Sequence, residues 1–210
     1  MRLSGILPAL LALPLMAQQP LSIGLTYDSQ NPKNQTLDSV QISAKTNSSF
    51  GLTFGYTPWT FGSSALAITA AYRFKGTSDL TVKTPSLSGA TADYKHEYTA
   101  LGLQVSWRKP LDFGFGLQCR FEKTSIEGKE GGRPWAGNTA RPWLNGQIGY
   151  TFAPGGVSPY VALVAAIPLT CTSKPTTPAV DEATAQANQD QLAKSMAPQF
   201  EFGIQVGLRF

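Results

Sequence analysis

The chain carries a single histidine, His96, in the run Tyr94-Lys95-His96-Glu97-Tyr98. An imidazole that activates a nucleophile needs that nucleophile and an orienting carboxylate within hydrogen-bond reach. In an extended segment the adjacent Glu97 points to the opposite face, so it is poorly placed to orient the ring. No matching His/Ser motif accompanies the histidine, and one His supplies no metal-ligand spacing. His96 is therefore read as an ordinary solvated side chain, with no catalytic, cofactor or metal site assigned. The glycines of EGKEGGRPW (127–135) lack the spacing and strand–helix setting of a phosphate-binding loop and read as an exposed mobile loop. The most informative ionisable set is instead distributed along the chain: Asp28, Arg73, Lys75, Arg108, Asp112, Arg120, Glu122, Arg141, Glu201 and Arg209.

What unites these residues is the segments that hold them. Each lies on the polar parity of a stretch whose apolar residues recur every second position, the period of a β-strand with two unlike faces. At the C-terminal end Phe200, Phe202, Ile204, Val206, Leu208 and Phe210 alternate with Glu201, Gly203, Gln205, Gly207 and Arg209. The same alternation places strands at Leu21–Tyr27, Phe50–Tyr56, Leu66–Phe74, Leu101–Trp107, Leu111–Phe121 and Leu144–Phe152. A seventh stretch in chain order, Val157–Thr170, is apolar on both parities. It would turn Val161, Leu163, Ala165, Ile167 and Leu169 one way and Ala162, Val164 and Ala166 the other. Short turns rich in Pro and Gly (57–63, 108–110, 153–156) alternate with long polar connections (30–47, 76–93, 124–140, 171–198). Within the last connection, residues 177–196 read either as a disordered loop or as a short helix with Thr177 as cap and Pro178 at its first position.

An all-β, eight-stranded antiparallel up-and-down barrel follows, with short turns at one end and long loops at the other. Two observations turn its apolar face outward, toward lipid, rather than inward around a ligand. Glycines such as Gly24, Gly51, Gly102, Gly114, Gly149 and Gly203 gather on the polar parity, where a crowded small-barrel interior favours a missing side chain. Aromatics gather at both strand ends on the apolar parity, as at two membrane interfaces. Inward charges would then pair and fill the narrow bore, with Arg108 near Asp112 and both Arg120 and Glu122 beside Arg141. Cys119 and Cys171 would stand about 9–10 Å apart, two strand spacings, beyond the roughly 7 Å a disulfide tolerates, and are expected to be free thiols.

The opening MRLSGILPALLALPLMA has a basic Arg2, an apolar stretch from Ile6 to Met16 and a small Ala17. It reads as a secretory signal peptide over residues 1–17, although Leu15 stands where Ala is commoner, and residues 18–210 then form one barrel domain. The apolar stretch is too short for a spanning helix, and no later run reaches the roughly 20 residues required. A net charge of +4 without Lys/Arg runs does not indicate nucleic acid.

The final QFEFGIQVGLRF, with Phe202, Ile204, Val206, Leu208 and Phe210 on one parity, resembles the C-terminal assembly signal of bacterial outer-membrane β-barrels. With the leader and the strand pattern, the chain resembles the small outer-membrane β-barrel domain family of the OmpX/OmpW/OmpA-barrel type. That resemblance implies residence in the bacterial outer membrane, contact with its lipid and lipopolysaccharide, passage through the barrel-assembly machinery, and a monomer without cofactor. It names no activity. Three readings stay open: a non-enzymatic envelope or surface-interaction protein with a filled lumen, a narrow channel or carrier for small or apolar solutes, and, with least support, a lipid-modifying enzyme.

Overall fold

The computed structural model describes residues 20–37, 40–84, 88–108, 111–129, 131, 133–152, 156–173 and 181–210. The expected leader, residues 1–17, lies outside them, as do Lys109-Pro110 and Ala153–Gly155 of the expected short turns. Strands run β1 Leu21–Asn31, β2 Gln35–Leu37, β3 Val40–Ala44, β4 Asn47–Phe61, β5 Ser64–Lys83, β6 Ser88–Arg108, β7 Asp112–Gly128, β8 Trp135–Thr151, β9 Ser158–Pro168 and β10 Phe200–Arg209. Among the described residues there is one helix, α1, Glu182–Ser195.

Eight of the strands close a ring in the order β1, β4, β5, β6, β7, β8, β9, β10 and back to β1, every pair antiparallel. Closure removes every free edge, which is what a sheet must do to cross hydrocarbon. The seam between the first and last strands is pinned where Phe210 N–H donates to Leu21 O (2.9 Å) and Leu21 N–H to Phe210 O (3.2 Å).

The outer face is apolar and the inner face charged. Ile23, Leu25, Phe54, Leu103, Phe115, Leu163 and Ile204 are among large apolar side chains left 38–60% exposed, while Asp28, Arg73, Arg120, Glu122 and Arg141 are at most 3% exposed. Water would not tolerate such a continuous exposed apolar surface, and a lipocalin-like barrel would invert it. The alternation therefore turns its apolar parity toward lipid.

Several stretches expected to be loops are strand. β5 and β6 continue past the apolar band to Lys83 and from Ser88, β7 runs to Gly128, and β8 begins at Trp135. The hairpin β2–β3 pairs through β3 with β5 (Gln41↔Lys83 to Ala44↔Leu80). These extensions keep the period of two but exchange the faces: Lys95, Glu97, Lys123 and Glu127 point out, whereas Leu80, Tyr94 and Ile126 are buried. Beyond the membrane, the outside is wet and the inside can be dry. At the other end the expected 57–63 turn is mostly strand. The reversal narrows to Gly62-Ser63, where Gly62 has φ +63, a left-handed value that favours glycine.

A charged residue in place of Phe210 is expected to deplete the assembled barrel, because it would face the apolar band beside the closing seam and remove the terminal aromatic. The check is the amount of fast-migrating unheated protein in isolated membranes for Phe210→Asp. An unchanged amount would show that the terminal aromatic is dispensable.

Candidate functional site

Two layers of inward polar side chains cross the bore, with a cavity between them and an apolar plug above. The upper layer lies toward the long-loop end. Its three guanidinium groups face three carboxylates. Arg73 Nε donates to Asp28 Oδ1 at 2.6 Å and its Nη atoms to His96 O, Asn47 O and Asn47 Oδ1 at 2.9–3.0 Å. Arg141 grips Glu122 through two bonds of 2.5 and 2.8 Å and also donates to Pro198 O. Arg120 grips Glu201 through bonds of 2.6 and 2.8 Å. Bidentate geometry of this kind is the strong form of the interaction.

The register explains why a network forms. Arg120 and Arg141 are directly paired across β7 and β8, a like-charge contact. Each resolves it by turning to a different carboxylate, Arg141 to its neighbour Glu122 and Arg120 across the bore to β10. Arg120 is also held between the rings of Tyr98 (4.2 Å) and Trp143 (4.0 Å). Gln30 Nε2 and the Tyr98 hydroxyl add bonds to Glu201 at 2.5 and 3.3 Å.

His96 belongs to this layer and is not the solvated side chain the sequence reading made it. It is fully buried, with Nε2 3.6 Å from Glu122 Oε1. Its inward parity is the expected one, and the continuation of β6 above the apolar band encloses the ring. Neither ring nitrogen has a hydrogen-bond partner among the described residues. No group of three potential metal ligands occurs among them either.

The lower layer departs from expectation in its pairing. Arg108 and Asp112 are register partners, yet the Asp112 carboxylate accepts from Arg209 Nη1 (2.7 Å) and the Thr151 hydroxyl (2.5 Å). Arg209 additionally bonds Thr151 and lies 4.8 Å from the Tyr160 ring centre. Arg108 turns instead toward β4 and donates to Thr57 Oγ1 at 3.1 Å. Lys75 leaves the lumen altogether and is exposed. A bulge between Arg73 and Gly76 inserts a residue, so Phe74 and Lys75 both face outward and the parity count slips.

Between the layers lies a cavity of about 120 Å³, bordered by Thr26, Thr53, Thr69, Gln104, Gln147 and Val164. The bore is thus filled at two levels rather than throughout, and the small residues Val164 and Ala166 of β9 border the gap. Glycine has a specific use on this inner face: a Cβ on Gly116 would come within 2.3 Å of the Leu103 carbonyl oxygen, and one on Gly149 within 2.4 Å of that of Val161, backbone atoms that cannot give way.

Above the upper layer, Ile42, Leu80, Ala92, Tyr94 and Ile126 pack with Leu192, Ala193 and Met196 from α1 and its end. The helix starts at Asp181, whose carboxylate accepts from Thr184 N–H at 2.7 Å; that bond holds the carboxyl below its ordinary range. The start differs from the expected cap at Thr177, which with Pro178 lies outside the described residues. The last turn is fastened over the bore: Gln35 Nε2 donates to Ser195 O (2.9 Å) and Tyr94 OH to Met196 O (3.2 Å). On β8, Gly137 lets the helix approach, since a Cβ there would fall 2.6 Å from Lys194 Cβ.

Tyr94, Trp143, Tyr160, Gln30 and Asn47 were missed as site residues. The signal was available for two of them. Trp143 is a large aromatic on the polar parity of β8, and Tyr94 lies where apolar and polar parities exchange. Cys119 and Cys171 are both free and exposed.

No family model matches the chain, and no curated protein does. Among solved structures it is similar to neisserial surface protein A (11% identity, 90% of this chain and 95% of that one, TM-score 0.44). It is also similar to the outer membrane protein OprG of Pseudomonas aeruginosa (11% identity, 91% and 92%, TM-score 0.47). A third is Ail, the attachment invasion locus protein of Yersinia pestis (10% identity, 91% and 97%, TM-score 0.45). On its own geometry, a closed antiparallel ring that is apolar toward lipid and charged within, the chain is an eight-stranded transmembrane β-barrel of the outer-membrane type.

Proposed function

We propose that the protein is a non-enzymatic barrel of the bacterial outer membrane whose lumen is closed to ions, serving envelope integrity or surface interaction through the structure raised above the membrane. The observation that carries this reading is the pair of barriers in series at the long-loop end: the buried layer of three arginines and three carboxylates, and above it the apolar plug fastened by α1. Unpaired charge cannot be kept in such a place, and paired charge leaves no path for a hydrated ion. The charged outer faces of β5–β7 and the exposed side of α1 stand where another surface would meet the protein. Outer-membrane lipid and lipopolysaccharide surround the apolar band, and the short turns face the periplasm.

Planar-bilayer recording on purified, refolded protein tests the closed lumen. Silence is expected across a range of salt concentrations. Stable, salt-dependent unitary conductance would reject this reading and favour the narrow channel, which the cavity between the layers would then serve.

A further inference from the structure

The lower half of the lumen holds a cation without a carboxylate. Arg209 has taken Asp112, and among the described residues Arg108 forms no ion pair. Its guanidinium donates to Thr57, and its Nε is buried with no partner. Two positive side chains thus share one negative one at this level. Arg108 borders the cavity of about 120 Å³, and so does a further buried hydroxyl without a partner, Thr26 Oγ1, which can donate to an anion. Among the described residues one carboxylate borders the cavity, Glu201, which lies at its upper end and is engaged by Arg120. Gln104, Gln147 and Ser106 supply neutral donors along its wall.

We propose that this half-lumen binds a small oxyanion, of the size of phosphate or a short carboxylate, with Arg108 as its principal ligand. A guanidinium with a buried, unpartnered Nε is costly without countercharge, and its planar fork fits two oxygens of such an anion. A cavity of this volume has room for several waters, enough for an anion of four or five heavy atoms. Entry is from the short-turn end, past the partly exposed Arg108 of the lower layer, whereas the long-loop end is shut by the upper layer and the plug. The anion completes the charge balance that Asp112 leaves unfilled. The site is blind, so it requires no path through the barrel and stands or falls separately from the conductance test.

The experiment is calorimetric titration of the refolded full chain with sodium phosphate and, in a parallel arm, sodium acetate, at pH 7 and fixed ionic strength. One saturable site is expected for at least one anion. Binding should weaken about tenfold or more in Arg108→Gln, from the loss of a charge-assisted bond. It should be partly retained in Arg108→Lys and unchanged in Lys75→Gln on the outer wall. Heat-modifiable migration confirms that each variant folds. A readout that needs no variant is the Arg108 Nε resonance of 15N-labelled protein, which should move on saturation. No saturable binding in either arm, binding indifferent to Arg108→Gln, or an unmoved Arg108 resonance during saturable binding would each overturn the proposal.

Discussion

Glu201→Ala is expected to destabilise the folded barrel by about 3–5 kcal/mol, the range for breaking a buried ion pair from one side. The substitution strands more than a single partner. Arg120, 1% exposed, loses both of its strong bonds, and Gln30 Nε2 and the Tyr98 hydroxyl lose their acceptor. The guanidinium cannot escape to water, because Tyr98 and Trp143 enclose it. Asp79 provides the contrast. It pairs with Lys45 and Lys129 where all three side chains are about half exposed or more, so Asp79→Ala should cost no more than about 1 kcal/mol. Urea titration of both variants in lipid vesicles, followed by tryptophan fluorescence, makes the comparison. Equal losses would mean that the buried layer is incidental to stability.

Leu80→Ala should loosen the plug while leaving the barrel intact. Leu80 is a fully buried member of the cluster that receives Leu192 and Met196. Removing its side chain is expected to cost about 3 kcal/mol, equivalent to roughly a hundredfold rise in opening of that cluster. The barrel ladders below are hydrogen-bonded independently of it, so the cost should fall on local opening. Trypsin supplies the measurement, since Lys194 lies in the last turn of α1. Cleavage at Lys194 should accelerate on the order of that factor, with heat-modifiable migration retained. Unchanged cleavage, or loss of barrel migration along with the plug, would show that plug and barrel open as one unit.

The amino-acid pattern alone determined the class of structure. Period-two alternation in segments such as Leu101–Trp107 and Phe200–Phe210 requires two-faced strands, and the glycines and aromatics of opposite parities tell inside from outside. The same parity rule put Arg73, Arg108, Asp112, Arg120, Glu122, Arg141, Glu201 and Arg209 in the bore. Parity assigns a face, however, not a partner. Which acid each arginine meets depends on reach across a closed ring, which is how Arg209 rather than Arg108 came to hold Asp112. Parity also fails at one inserted residue, and the bulge before Gly76 is what turned Lys75 outward. The extensions of β5–β8 are not legible as strand because their faces exchange polarity once they leave the membrane, so His96, though on the inward parity, read as solvated at the mouth rather than enclosed. Its burial, the α1 plug and the gap beside Arg108 arise from segments far apart in the chain. Only closure of the ring brings them together, and it is closure that makes the interior too narrow for water to serve every charge.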